Sequence, residues 1–165
     1  VMSDKKYEFV PGDEKTIAPG RTVKRIRLLV AIAAFGLPSG SLGGYIESKE
    51  CLSQSGNAWV SGDARVSGNA RVFGDAQVFG DAQVSGDAWV SGDASIVWVS
   101  KVGRDNGTLT VFTGKDGDLI ATRGCFIGTI DEFLAQSEKV HDDRTHLEYR
   151  MLIEVAHSRI TRSAS

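Results

Sequence analysis

The sequence predicts a mainly β protein in which a short parallel β-solenoid precedes a small α+β region. Residues 55–96 form seven consecutive six-residue units, and repetition at a fixed period indicates one structural unit stacked many times. After residue 102 the repeat stops, and the pattern changes to short strands and then to helical periodicity. We therefore divide the chain into an N-terminal strand or cap region (1–41), a repeat solenoid (42–102) and a C-terminal β-hairpin with two helices (103–165).

Each unit combines four strand residues with a two-residue corner. The units are SGNAWV, SGDARV, SGNARV, FGDAQV, FGDAQV, SGDAWV and SGDASI. Alanine and valine or isoleucine lie two positions apart, so both point inward, and the residue between them points outward. Glycine followed by Asn or Asp suits a corner, because these residues tolerate positive φ.

The pattern aliphatic-x-Gly-Asx-small-x resembles the hexapeptide-repeat left-handed β-helix family. In that family three units make one triangular coil, so the resemblance implies a left-handed β-helix of about three coils. The preceding segment, LGGYIES from Leu42 to Ser48, is similar to an LGG-aromatic-IES entry segment of small phage and prophage proteins. This second resemblance covers roughly residues 21–135 and implies a phage-encoded protein.

A coil of three units stacks outward residues in three columns. The predicted columns are Trp59, Gln77 and Ser95 on face one; Arg65, Gln83 and Lys101 on face two; and Arg71 and Trp89 on face three. The same alignment stacks corner residues, for example Asp63 with Asp81. Trp89 above Arg71 suggests a cation–π pair.

The segments that flank the repeat are predicted to cap its open ends, which would otherwise expose unpaired strands. Tyr7–Val10 is predicted as a short strand, and 22–35 as a longer one that becomes buried. The apolar run 28–37 is expected to cover one end of the solenoid. In the entry segment, Ile46 and Leu52 are placed at alanine positions, and Gln54 replaces an inward valine.

The C-terminal region is predicted as a small antiparallel sheet followed by two helices. A turn at 105–107 separates a strand at 96–102 from one at 108–113, and a third strand begins at Asp118. Thr129 and Glu132 form a capping box that opens a helix to about Val140. The second helix is expected at 145–160. Its predicted apolar side consists of Leu147, Met151, Leu152, Val155, Ala156 and Ile160.

The composition indicates the cellular compartment and limits the classes of partner that the protein can bind. The net charge of −2 gives no electrostatic basis for binding nucleic acid. Cys51 and Cys125 form no disulfide framework, which favours the cytoplasm of the bacterial host. The apolar run 28–37 is too short to span a bilayer, so we predict no membrane partner.

We predict no enzyme activity, metal or cofactor. Hexapeptide folds host acyltransferases, and the resemblance would then require a general-base histidine near a coil; the histidines are 141, 146 and 157, outside the repeat. The Asp columns are interpreted as solvated corners rather than cation sites. His141, Asp142, Asp143 and His146 could be metal ligands, but a helix–helix junction of solvated charge is favoured. A nucleophilic Cys125 is disfavoured because the sequence places no base beside it.

The outward aromatic and arginine residues are the candidate binding site, because a soluble monomer seldom exposes several large aromatics without a use. The predicted partner-binding residues are Trp59, Arg65, Arg71, Phe73, Phe79 and Trp89. Two alternatives stay open: these residues pack against the chain's own terminal segments, or they form an interface between copies.

The expected function is that of a non-enzymatic, phage-encoded binding protein that engages or inhibits a host factor, with anti-defence inhibition as one example. The partner is expected to be a host protein or a small signal molecule. A homo-oligomer, dimer or trimer, is also expected. The alternatives are a hexapeptide-type acyltransferase and a trimeric spacer or virion component.

Overall fold

The protein consists of a stack of short parallel strands, a β-hairpin at one end and an antiparallel sheet with two helices at the other. The structure, a computed structural model, describes residues 5–92 and 95–164. The strands are β1 (Tyr7–Ala18), β2 (Arg21–Leu28), β3 (Leu42–Ile46), β4 (Trp59–Val60), β5 (Arg65–Val66), β6 (Arg71–Val72), β7 (Gln77–Val78), β8 (Gln83–Val84), β9 (Trp89–Val90), β10 (Ile96–Val102), β11 (Gly107–Thr113), β12 (Leu119–Arg123) and β13 (Phe126–Thr129). The helices are α1 (Ile130–Val140) and α2 (Asp143–Ala164).

Each of the first three repeat strands pairs in parallel with the strand three units further along the chain. Trp59 pairs with Gln77, Arg65 with Gln83 and Arg71 with Trp89, which confirms these predicted pairs. We call each six-residue unit of this stack a rung. In the six rungs that contain β4–β9, the alanines and valines point inward and are at most 1% exposed. A period of six thus buries two small apolar side chains per unit around a narrow axis.

The corners use glycine at positive φ and a stacked Asx residue. Asn57 Nδ2 donates to Asp75 Oδ1 over 3.3 Å, and Asn69 Nδ2 donates to Asp87 Oδ1 over 3.3 Å. In the third column, where Asp63 and Asp81 are both acidic, Lys15 Nζ lies 3.7 Å from Asp63 Oδ1. The amides and this lysine reduce the repulsion of a carboxylate column. Asp93 and Ala94 of the last unit lie outside the described residues.

The N-terminal cap is a long hairpin whose strands continue the sheet of face two. Strand β1 pairs antiparallel with β2, β2 pairs antiparallel with β3, and β3 pairs in parallel with β5. The first strand therefore runs through Pro11–Gly12 to Ala18, well beyond the predicted Tyr7–Val10. The hairpin covers the first rungs of the repeat with Tyr7, Ile26 and Leu28, which are all buried.

The prediction of a strand over 28–37 is wrong, although Leu28, Ile32, Phe35 and Leu37 of this run pack against the solenoid core as expected. Strand β2 ends at Leu28, and Leu29 and Val30 are exposed at 40% and 57%. The chain then turns through a 3-10 helix (Ala33–Phe35), and Ile32 forms an isolated bridge with Leu37. Leu28 pairs with Tyr7, the first residue of β1, and Leu29 N still donates to Lys6 O over 2.8 Å.

The predicted register of the entry segment is also wrong. Ile46 pairs with Val66 and Leu52 with Val72, so each pairing spans two positions more than the three-unit spacing of the repeat. Two additional residues between Leu52 and β4 place Ile46 and Leu52 at valine positions. Gln54 does not replace an inward valine, because its Oε1 accepts the backbone N–H of Lys6 over 2.7 Å.

The C-terminal region contains the three predicted strands and two helices, together with a fourth strand, β13, that was not predicted. Strands β10 to β13 form an antiparallel sheet in chain order. The capping box is confirmed: Glu132 N donates to Thr129 Oγ1, and Thr129 N donates to Glu132 Oε1, both over 3.1 Å. No described helix is long and apolar enough to cross a bilayer.

The predicted stacking of Lys101 on Gln83 is wrong, because β10 leaves the repeat and joins the antiparallel sheet. The backbone of Gln83 is capped by two buried threonines instead. Gln83 N donates to Thr110 Oγ1 over 3.1 Å, and Thr122 Oγ1 donates to Gln83 O over 2.7 Å. The C-terminal sheet thereby satisfies backbone groups that the end of face two would leave unpaired.

Helix α2 buries only part of the predicted side: Ala156 and Ile160 are buried and Leu152 is partly buried, whereas the other three residues of that side are exposed. Its side facing the sheet and α1 includes Tyr149, Ile153, Ala156 and Ile160, which are buried. Leu147, Met151 and Val155 are instead 49%, 52% and 55% exposed. The pattern was misleading because both sides of this helix carry apolar residues.

A buried lysine makes the N-terminal cap sensitive to pH. Lys6 is 6% exposed, and its Nζ donates to Ala58 O over 2.6 Å. Burial lowers the pKa of Lys6 to about 8, whereas an unfolded lysine titrates near 10.4. Between these values the unfolded chain binds more protons, so stability rises with pH.

We expect the free energy of unfolding to rise by about 1 to 2 kcal/mol from about pH 7 to about pH 9.5. Lys6→Met should lose most of this rise, as measured by urea denaturation. Equal pH dependence in both proteins would contradict the prediction. Burial also raises the pKa of the Tyr7 phenol, which gives the opposite pH dependence only above about pH 10.

Candidate functional site

Trp59 is not an outward-facing binding residue, contrary to prediction. Its side chain is 2% exposed and packs edge-on against Tyr7, with ring centroids 6.3 Å apart. The indole lies over Gly43, where a side chain would collide with it. The N-terminal hairpin therefore covers face one at this rung, and the indole Nε1 has no hydrogen-bond partner among the described residues.

Arg65 lies on face two and Phe79 at one of its corners, apart from the other predicted binding residues. Phe79 is 49% exposed and meets Trp98 of β10 edge-to-face at 4.7 Å. Arg65 is partly exposed and lines a cleft together with Lys15, Asp81 and Arg123. The C-terminal sheet thus contacts Phe79, and charged neighbours surround Arg65.

Face three brings together Arg71, Phe73 and Trp89. Arg71 is exposed, and Trp89 is 41% exposed on the adjacent rung. Phe73 meets Trp89 edge-to-face at 6.0 Å with an interplanar angle of 86°. The predicted cation–π pair does not form: among the described residues the cations above aromatic rings are Lys15, Lys24 and Arg25.

Arg71 and Trp89 line an open cavity of about 470 Å³, which we call the face-three groove. The groove is lined by Ser48, Glu50, Gly68, Asn69, Ala70, Arg71, Asp87, Trp89 and Lys115. Its floor consists of two rungs of the repeat. One wall comes from the N-terminal entry segment, and the other comes from the turn between β11 and β12.

Backbone pairing places both walls of the groove. The bridge between Leu52 and Val72 sets the 3-10 helix Lys49–Cys51 beside β6. On the opposite side, Lys115 N donates to Asp87 O over 2.7 Å, which anchors the β11–β12 turn above β9. Sequence reasoning missed Glu50 and Lys115, because only the long-range pairing of the caps brings them to face three.

The charged groups of the groove differ in whether they already make hydrogen bonds or ion pairs within the protein. Asp87 Oδ1 accepts from Asn69. The pKa of Glu50 is lowered, first by its own backbone N–H, then by the Ser48 hydroxyl and also by the charge of Arg71. Within the described ranges, neither Arg71 nor Lys115 makes a side-chain ion pair. The groove therefore presents two accessible cations beside an aromatic ring.

The C-terminal helices contain the other chemistry-bearing residues. His146 Nδ1 lies 3.1 Å from Ser137 Oγ, and Ser137 is buried at 2% exposure. Asp142 Oδ1 accepts from Thr145 N, so it caps the start of α2. In the part of the chain that the structure describes, no three His, Cys, Asp or Glu residues are arranged to hold a metal ion.

Comparison with known families bears on the repeat alone. A model described as the YdcK beta solenoid repeat matches residues 64–80 and 76–92. The chain is therefore a β-solenoid repeat protein. The matched segments contain both rungs of the face-three groove but neither of its walls. No curated protein and no solved structure matches the chain.

Proposed function

We propose that this β-solenoid protein is a non-enzymatic binding protein whose partner contacts the face-three groove and the adjoining Phe73. The observation that supports this proposal most is the exposure of Trp89 beside the unpaired cations Arg71 and Lys115. Tryptophan and arginine dominate the energetics of protein interfaces. Trp59, Arg65 and Phe79 are not part of this proposed surface.

The scaffold favours binding with little ordering cost. The groove floor is backbone of two hydrogen-bonded rungs, and both walls are tied to those rungs by backbone pairing. A rigid surface loses little conformational entropy when a partner binds. The surface is also compact, since Arg71 and Trp89 belong to neighbouring paired strands.

The partner and the origin of the chain are proposed from the two resemblances. We propose a phage-encoded protein that acts in the bacterial cytoplasm on a host factor, with inhibition of a defence system as an example. The hexapeptide pattern supports a left-handed coil of three units, repeated about three times. The parallel pairing of strands three units apart agrees with that coil length.

Substitutions in the groove test the proposed function. Trp89→Ala and Arg71→Ala should each weaken capture of the same host component by about tenfold or more, because hot-spot truncations cost about 2 kcal/mol. Capture from host lysate should be compared quantitatively with Arg104→Ala, a matched control at an exposed cation outside the groove. Melting temperatures should be unchanged in all three variants.

Two results would contradict this proposal. Unfolding caused by both groove substitutions would make Trp89 and Arg71 structural residues. Retention of every captured component by both variants would place binding elsewhere. Turnover of acetyl-coenzyme A would favour the acyltransferase alternative, and recovery of the protein from purified virions would favour the spacer alternative.

We also propose that the protein self-associates, and the exposed apolar stripe of α2 supports this. Leu147 and Val155 each lie about one helical turn from Met151, so a two-fold axis at Met151 would place Leu147 against Val155 of a second copy. Light scattering at micromolar concentration should show a dimer or larger species, and Met151→Glu should shift it toward 17.7 kDa. A wild-type monomer would contradict self-association, and an oligomer unchanged by Met151→Glu would contradict this interface.

A further inference from the structure

We infer that the face-three groove binds a nucleoside phosphate, with the base against Trp89 and the phosphates between Arg71 and Lys115. This inference rests on the proposed binding function and specifies its ligand class. The groove combines three properties that this ligand requires: an exposed aromatic surface, unpaired cations and oriented hydrogen-bond acceptors.

The aromatic surface is available for stacking. Trp89 is 41% exposed, and its contact with Phe73 is edge-to-face. This geometry leaves at least one face of the indole uncovered by Phe73. A base of any identity can stack on an aromatic side chain because every base has a π-face, so this ring supplies affinity for any of the bases.

The two cations approach the groove from different parts of the chain. Arg71 stands on the floor, one strand away from Trp89, and Lys115 stands on the wall formed by the β11–β12 turn. Arginine binds phosphate through paired N–H groups, and lysine binds it as a point charge. Among the described residues neither side chain makes an ion pair within 4.0 Å, and the charge of Arg71 acts on Glu50 only from a longer distance.

The carboxylates of the groove suit the hydroxyl and amino groups of the same ligand. Asp87 is oriented by the amide of Asn69, and Glu50 lines the same groove. Each carboxylate retains acceptor capacity for a ribose hydroxyl or an amino group, since an ionised carboxyl accepts about four hydrogen bonds. A simple anion such as inorganic phosphate would meet their repulsion without this compensation.

The dimensions favour a small ligand over a nucleic acid strand. A volume of about 470 Å³ lies within the usual range for pockets that enclose a small molecule. Caps border the groove at both ends of the solenoid axis, since the entry 3-10 helix contacts β6 and β11 contacts β9. The net charge of −2 also provides no basic track for a polymer.

Titration of the full chain with ADP, GDP, UDP and CDP tests the inference, with binding followed by calorimetry and tryptophan fluorescence. We expect at least one diphosphate to bind at least tenfold more tightly than either its nucleoside or inorganic pyrophosphate. Trp89→Leu, Arg71→Met and Lys115→Met should each weaken that binding at least tenfold. Arg104→Met, a matched control outside the groove, should bind as the wild type does.

Failure of this inference can be distinguished from failure of the proposed function. Absence of binding by all four diphosphates at about 1 mM would overturn the nucleotide inference, as would binding that the three groove substitutions leave unchanged. If Trp89→Ala and Arg71→Ala still abolished capture of a host component in that case, the binding function would stand with another ligand class.

Discussion

Ala70→Leu is expected to lower the free energy of unfolding by about 1–3 kcal/mol, because it overpacks the solenoid axis. Ala70 is 1% exposed, and it belongs to a core to which the six rungs of β4–β9 each contribute an inward alanine and valine. The neighbouring backbone cannot move apart freely, since Arg71 N donates to Ala88 O over 2.8 Å. A leucine therefore has to displace packed side chains or strain the rung.

Urea denaturation monitored by circular dichroism measures this effect. Gln77→Leu is the matched control, because it adds a leucine at an outward position that is partly exposed. The control should change stability by about 0.5 kcal/mol or less. Equal stability of Ala70→Leu and the wild type would contradict the tight inward packing of the alanine.

The repeat could be predicted because its period constrains every rung in the same way. Once alanine and valine are assigned to the interior, the pairing of Arg71 with Trp89 follows from a coil of three units. The caps could not be predicted at this level. The two additional residues before β4 change the register of Ile46 and Leu52, and no local pattern marks them.

In the candidate site, too, the residues of the repeat could be predicted and those of the caps could not. Arg71, Phe73 and Trp89 were predicted from the repeat, whereas Glu50 and Lys115 were missed because they reach face three only through cap pairing. Trp59 was misassigned because the hairpin that covers it, strands β1 and β2, is distant from it in the sequence. One signal was present: paired glycines in the entry strand indicate close approach of another segment.

Gly43→Ala is expected to destabilise the protein by about 1–3 kcal/mol, through the packing that buries Trp59. A Cβ at Gly43 would lie 2.6 Å from Ile26 Cγ1, from the Trp59 ring and from Val60 O. All three residues are buried, and Val60 O is backbone, so the collision cannot be relieved by moving one flexible side chain. The substitution should separate the N-terminal hairpin from the first rung of face one.

Gly92→Ala is the matched control, because a Cβ there meets nothing within 4 Å among the described residues and the backbone is not at positive φ. Its melting temperature should stay close to that of the wild type. The double variant Gly43→Ala with Trp59→Phe should lose less stability than the two single effects added together, because phenylalanine removes the ring that the new Cβ meets. Additive losses would contradict a direct contact between the new Cβ and the Trp59 ring.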